Sequence, residues 1–262
     1  MSVVIVIPAR YASSRFPGKP LAPLTGATGA VKPLIRRSWE AAMAVSGVDR
    51  VVVATDDARI ADVARGFGAE VVMTAESCAN GTERCADALP SLDPGVEIVV
   101  NLQGDAPLTP PWFVEALVAT MRDDASVEVA TPVLLSDPEH LAALRADRRA
   151  GRVGATTAVA GRDGFALYFS KEVLPFADGT PPPAVLHHVG VYAYRPDALR
   201  AYVGWAAGPL ETAEGLEQLR FLENGRRVRC VLVESRGAGF WELNNPSDRD
   251  RIEMMLRDRA IA

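Results

Sequence analysis

The apolar positions in the first part of this chain come in short, nearly unbroken runs, each stopped by a polar turn. Val3-Val4-Ile5-Val6-Ile7 is β-branched throughout, as expected of a strand buried on both faces. Val51-Val52-Val53-Ala54, Glu70-Val71-Val72-Met73 and Ile98-Val99-Val100-Asn101-Leu102 repeat the pattern. Between them the period changes. From Ala58 to Phe67 the apolar residues Ile60, Val63, Ala64 and Phe67 fall at helical spacing and Gly68 supplies the stop. Thr82 to Leu89 reads as a second helix. Strands alternating with helices predict right-handed βαβ units, so the fold class is α/β, with a mostly parallel central sheet and helices on both faces.

The second half is more mixed. Val127 to Leu135, Phe165 to Ser170, Val189 to Tyr194 and Val228 to Glu234 read as strands, and Leu216 to Glu223 as a helix that Gly225 ends. Asn245 is the expected N-cap of a final helix, with Pro246 in its first position and an end near Arg259. Asp178 to Pro183 is a Pro-rich loop too short to link domains.

Composition narrows the class. A chain of 262 residues, 48% hydrophobic and 23% charged, suits one large soluble α/β domain, with or without a small appendage. A net charge of −5 argues against broad nucleic-acid binding. Cys78, Cys85 and Cys230 are too scattered for a disulfide framework or a zinc site and read as reduced thiols of a cytoplasmic protein. The chain opens on a strand, so no signal peptide is expected, and no apolar run is long enough for a membrane span.

Against that acidic background one cationic stretch stands out. Arg10, Arg15 and Lys19 follow the first strand within a loop rich in Gly and Pro. Open α/β sheets bind ligands at the carboxyl ends of their strands. A cationic loop there points to a polyanion, most simply a nucleoside triphosphate. The Walker A order is absent, and no GxGxxG follows the strand, which weighs against a dinucleotide oxidoreductase. Asp105, at a Gly turn after the fourth strand, is either a turn cap or a Mg²⁺ ligand, and a phosphate loop on the same rim favours the ligand. Asn80-Gly81-Thr82 can present amides and a hydroxyl to a base or ribose, or simply start a helix. Arg84, one turn further on, is expected in a surface salt bridge.

Together these segments resemble the CMP-KDO synthetases, the 3-deoxy-manno-octulosonate (KDO) cytidylyltransferases, over nearly the whole chain. Pro8 to Leu21 is similar to their P-A-R-Y-x-S-x-R-x-P-G-K-P-L, Ala54-Thr55-Asp56 to A-T-D, and Gly81 to Arg84 to the end of S-G-T-E-R. Asn101 to Pro107 resembles N-x-Q-G-D-E-P, Ala166 to Ser170 A-L-Y-F-S-R, and His188 to Arg195 H-L-G-I-Y-G-Y-R. Pro209 to Glu211 and Leu216 to Arg220 match P-L-E and L-E-Q-L-R. The resemblance implies a Rossmann-like nucleotidyltransferase fold, with one domain over residues 1–262 and a smaller dimerisation and acceptor subregion at roughly 130–200. It implies Mg²⁺-dependent transfer of CMP from CTP to an acidic acceptor, with pyrophosphate released, by a homodimer. By that analogy Arg10, Arg15 and Lys19 hold the triphosphate and stabilise the leaving group. Ala9, Asp56, Asn80, Gly81, Thr82, Arg84 and Gln103 complete the nucleotide site, and Asp105 ligates Mg²⁺. Gln103, Lys171, His188, Tyr192, Glu211 and Gln218 line the acceptor pocket. Taken without the resemblance, His188 on an apolar strand is more simply a satisfied core histidine.

The chain departs from the family pattern at defined places. Asn244 stands where the family has its second metal carboxylate, so Glu242 becomes an alternative ligand from the same strand face. Ala106 replaces a Glu, and Lys171 replaces an Arg whose fixed fork grips carboxylates. These last edits lie toward the acceptor. A small phosphonate such as phosphonoformate, activated in antibiotic biosynthesis, therefore stands beside KDO as the expected acceptor. A non-catalytic CTP-binding homologue is the reading from a different class.

Overall fold

A computed structural model describes the chain except for residues 13–15, 152–154, 177–183, 240 and 244. It divides into two compact units, one comprising Met1–Glu115 with Gly237–Ala262 and the other Ala116–Arg236.

In the first unit, β1 (Ser2–Ala9) leads to a short hairpin of β2 (Pro23–Thr25) and β3 (Val31–Pro33), then α1 (Leu34–Met43). There follow β4 (Arg50–Thr55), α2 (Ala58–Gly66), β5 (Glu70–Met73), α3 (Gly81–Ala88) and β6 (Val96–Leu102). The strands lie in the order β5-β4-β1-β6, and every pairing is parallel. β1 is central in this order and buries Val3 through Ala9, which is why its sequence is continuously apolar. Ala9 is in register with Thr55, and Thr55 with Met73, so these strands end on one rim. Helices pack around the sheet, α1 through Leu34, Ile35 and Ala42 and α2 through Ile60, Ala61 and Ala64.

The chain leaves this unit within α4 (Pro111–Asp123). The second unit contains β7 (Val129–Leu135), α5 (Pro138–Arg149), β8 (Thr156–Ala160), β9 (Ala166–Ser170), β10 (Leu186–His188) and β11 (Val191–Tyr194). It continues with α6 (Pro196–Tyr202), α7 (Pro209–Glu214), α8 (Leu219–Glu223) and β12 (Val228–Val233). Here the pairings are antiparallel apart from β12, which runs parallel to β7. The expected strand from Val189 to Tyr194 starts later. Val191 N–H donates back to Val189 O at 2.7 Å, a tight turn that breaks the ladder and leaves His188 at the end of β10.

The last element, α9 (Asp248–Asp258), returns to the first unit. It corrects the expected cap: Ser247, not Asn245, occupies that position. The cause is a first turn wound in three-residue steps, with Asp248 N–H on Asn245 O at 3.0 Å and Arg249 N–H on Pro246 O at 3.3 Å. The Asp248 carboxylate reaches back to accept from Asn245 N–H at 2.6 Å. The same winding at Leu216–Gln218 shortens the expected helix there to α8. All three cysteines are buried thiols outside any disulfide. No helix among the described residues is long and apolar enough to cross a membrane.

Candidate active site

In a parallel sheet every strand ends on the same side, so the loops after β1, β4, β5 and β6 gather on one rim. Arg10 is the first residue beyond β1; it is exposed, and its guanidinium donates to Ala79 O at 3.4 Å. The loop then turns back on itself through Gly18, whose φ of +70° is one that side chains resist. Gly18 N–H donates to Tyr11 O at 2.9 Å, and this closure delivers Lys19 to the end of β6. There the Lys19 ammonium forms an ion pair with the Asp105 carboxylate. Thus the phosphate and metal candidates, 86 residues apart in sequence, are direct neighbours. Arg15 and Asn244 lie outside the described residues.

Asp105 is held from its backbone as well. Leu243 N–H donates to Asp105 O at 2.9 Å, which sets the segment carrying the half-buried Glu242 beside it. Leu243 is anchored in a core with Leu24, Leu34, Leu108, Ile252 and Leu256. Gly104, one residue earlier, is packed so closely that a Cβ would stand 2.7 Å from Pro8 O of β1, and its carbonyl accepts from Ser38 Oγ at 2.9 Å. No group of three His, Cys, Asp or Glu residues gathers as a metal site among the described residues. A single carboxylate still suits Mg²⁺, which takes one or two from protein and the rest of its shell from phosphate oxygens and water. Asp105 beside the Lys19 ammonium fits that donor set.

On the same rim, Asn80 caps α3, its side chain accepting from Glu83 N–H at 2.8 Å while the Glu83 carboxylate accepts from Ala79 N–H at 2.7 Å. Thr82 is fully buried. Arg84 departs from expectation. It is 2% exposed, not on the surface, and donates to Thr74 Oγ1 at 2.6 Å and to Asp56 at 3.3 Å. The reason is that α3 lies against β1, β4 and β6, which buries its Arg84, Cys85 and Ala88 face. The second Asp56 oxygen, Oδ1, is buried without a partner. Gln103 lies half-buried beyond β6, with Asn101 fully buried two residues before it. The sequence assigns Asn101 no role, although the N-x-Q-G-D-E-P match contains it.

The second unit gathers the acceptor candidates into two contacts. His188 is 6% exposed and its Nε2 lies 2.9 Å from Thr131 Oγ1. That hydroxyl also lies 2.8 Å from Val191 O and 3.2 Å from Val189 O, two carbonyl acceptors for its single proton. Burial, with His187 alongside, pushes the His188 pKa down to about 3. Its ring packs between Phe169 and Tyr192, at 5.0 and 5.5 Å. Tyr192 Oη then donates to Gln218 Oε1 at 3.0 Å, leaving the Gln218 Nε2 buried and unpartnered. Separately, Glu211 accepts from Arg220 Nε and Nη2 at 2.7 Å each, and Arg220 stacks over Tyr202. Lys171 is tied to the same helix as Glu211, its N–H donating to Glu214 Oε2 at 2.9 Å. Arg220 and Thr131, which hold Glu211 and His188, were not singled out in the sequence; the L-E-Q-L-R match already contained the former.

Comparison with known proteins gives the family of the chain. A family model described as cytidylyltransferase covers residues 4–228. A 3-deoxy-manno-octulosonate cytidylyltransferase from Maricaulis maris is 48% identical over 98% of this chain and 97% of its own length. One from Zea mays is 40% identical over 98% of this chain and 81% of its own. Among solved structures, a CMP:2-keto-3-deoxy-manno-octonic acid synthetase complexed with CTP superimposes with a TM-score of 0.85 at 34% identity, covering 99% of this chain and 100% of that one. On this evidence the chain belongs to the cytidylyltransferase family of nucleotidyltransferases, in its CMP-KDO synthetase branch.

Proposed function

We propose that this enzyme transfers CMP from CTP to KDO and releases pyrophosphate. The observation that carries the reading is the 48% identity, nearly end to end, with a KDO cytidylyltransferase. The pairing of Lys19 with Asp105 at the sheet rim supports it. In this reading Arg10, Arg15 and Lys19 hold the triphosphate and offset charge on the departing pyrophosphate, the chief contribution a protein makes to such transfers. Lys19 exchanges its contact with Asp105 for phosphate oxygens as CTP enters. Asp105 would hold Mg²⁺, with Glu242 or Asn244 as the second ligand, and the ion when bound would neutralise phosphate charge. Ala9, Asp56, Asn80, Gly81, Thr82, Arg84 and Gln103 form the nucleotide site. Lys171, His188, Tyr192, Glu211 and Gln218 face the acceptor, with Gln103 serving both. His188, neutral and buried, acts as a hydrogen-bonding wall rather than as a proton carrier.

We also place the enzyme in the cytoplasm as a homodimer joined through the second unit, where Leu135 and Leu167 are 58% and 67% exposed. The test of the site is Asp105→Asn. The variant should bind CTP in a titration without Mg²⁺ yet lose Mg²⁺-dependent turnover. A variant changed only in thermal stability would return Asp105 to a turn cap.

A further inference from the structure

Asp248 is the first residue of α9, and the proposed function gives it no task. Its carboxylate makes two bonds toward the segment that precedes the helix. Oδ1 accepts from the Trp241 indole Nε1–H at 3.1 Å, and Oδ2 accepts from Asn245 N–H at 2.6 Å. These partners bracket residues 242–244, which include both candidates for the second metal ligand, Glu242 and Asn244. A carboxylate that only stabilised the start of its own helix would have no need of an indole seven residues back.

Both sides of this link are anchored. Arg251, one turn further along α9, lays its guanidinium over the Trp241 ring at 3.6 Å from the centroid. The helix is seated through Ile252 and Leu256 in the core that also holds Leu243, and Glu253 accepts from Thr25 N–H of β2 at 2.9 Å. Leu243, in the middle of the bracketed stretch, donates its N–H to Asp105 O at 2.9 Å. The stretch is thus tied to Asp105 at its centre and to Asp248 at both ends.

We propose that Asp248 is a positioning residue: it braces residues 242–244 so that the second ligand stands beside Asp105 before the ion arrives. The inference rests on Asp105 and one of Glu242 or Asn244 holding Mg²⁺, as proposed above. Ligands ordered in advance need no ordering on binding, and groups that hold ligands in place typically set metal affinity by about 10- to 100-fold. Asp248 acts through its two partners and is not itself a ligand.

The test is calorimetric titration of the full-length enzyme with CTP, with and without Mn²⁺, which takes the same oxygen ligands as Mg²⁺. No acceptor is present, and the readout is the gain in CTP affinity that the metal brings. Asp248→Ala should cut that gain by about tenfold or more and leave binding of CTP alone unchanged. Asp250→Ala is the control, since it also removes a carboxylate from the first turn of α9 but from an exposed position; it should keep the full gain. Trp241→Phe, which deletes the indole N–H and keeps a ring for Arg251, should reduce the gain in the wild-type background and cost nothing further beside Asp248→Ala. It also carries the test should Asp248→Ala not fold. A full gain in Asp248→Ala or in Trp241→Phe, or an equal loss in Asp250→Ala, overturns the brace alone. A full gain in Asp105→Asn overturns the metal reading of Asp105, and the inference falls with it.

Discussion

Lys19 and Asp105 meet at the end of β6 with side chains 16% and 23% exposed. An ion pair this accessible contributes little to stability, on the order of 1 kcal/mol or less. Lys19→Ala should therefore keep its melting temperature while losing turnover by roughly 10²- to 10³-fold, the usual effect of removing one charge-stabilising donor. A variant near wild-type kcat removes the lysine from the mechanism. Arg84 and Asp56 obey the opposite logic, being 3% and 11% exposed as side chains. Asp56→Ala leaves a buried guanidinium without its counter-charge, which costs about 3–5 kcal/mol. The expected result is a large drop in urea midpoint, and an unchanged midpoint would show that Thr74 and solvent suffice. The sequence distinguished these two pairs poorly. Cations clustered in a Gly- and Pro-rich loop announce a site, whereas the burial of Arg84 depends on α3 lying against β1, β4 and β6, which no local pattern records.

At the scale of elements, the parallel strands were legible because burial on both faces makes them continuously apolar; Glu70–Met73 was read to the residue. Helices α1, α4 and α5 were not read, although α5 carries its signal openly. Asp137 caps it, accepting from His140 N–H at 2.7 Å, and Pro138 follows in its first turn. Its apolar face is thin, with Leu141 and Leu144 the buried residues, so periodicity alone was weak. The rim depends on β1 and β6 closing tightly at Gly104. Gly104→Ala places a methyl group 2.7 Å from Pro8 O and must push the two strand ends apart. Because Arg10 and Asp105 ride on those ends, kcat/KM should fall by at least about tenfold. Unchanged kinetics would mean that the rim tolerates the shift.

The strand β10 and helix α5 also set a pH response. His140 stacks on His187 at 4.9 Å, and the pKa values of His187 and His188 are pushed down to about 4 and about 3, in both cases chiefly by burial. Both residues are neutral when folded and charge when unfolded near their ordinary value, so below that value the unfolded chain binds more protons. Their contribution to stability is complete above about pH 6.5 and is lost as pH falls toward 4, by up to about 1.4 kcal/mol per unit for each. Urea midpoints measured between pH 7.5 and 5 should fall accordingly, and His187→Gln should flatten the slope. A midpoint insensitive to pH in the wild-type enzyme contradicts this assignment.

On the scale of the whole molecule, the two compact units divide the labour proposed here. The parallel unit carries the nucleotide candidates and the largely antiparallel unit the acceptor candidates. The motifs made the nucleotide half legible, since Arg10, Lys19, Gln103 and Asp105 all follow strand ends. The acceptor half was legible only through the family resemblance. Its contacts, such as Tyr192 with Gln218 and Glu211 with Arg220, join residues from separate elements. The substitutions that raised a phosphonate acceptor, Ala106 and Lys171, fall one in each unit. The central claim is transfer of CMP to KDO. The measurement that tests it most directly is pyrophosphate release from CTP and Mg²⁺, with KDO and phosphonoformate as parallel acceptors. The account predicts release with KDO and none above background with the phosphonate. Release with phosphonoformate alone, or CTP binding with no release under either acceptor, contradicts it.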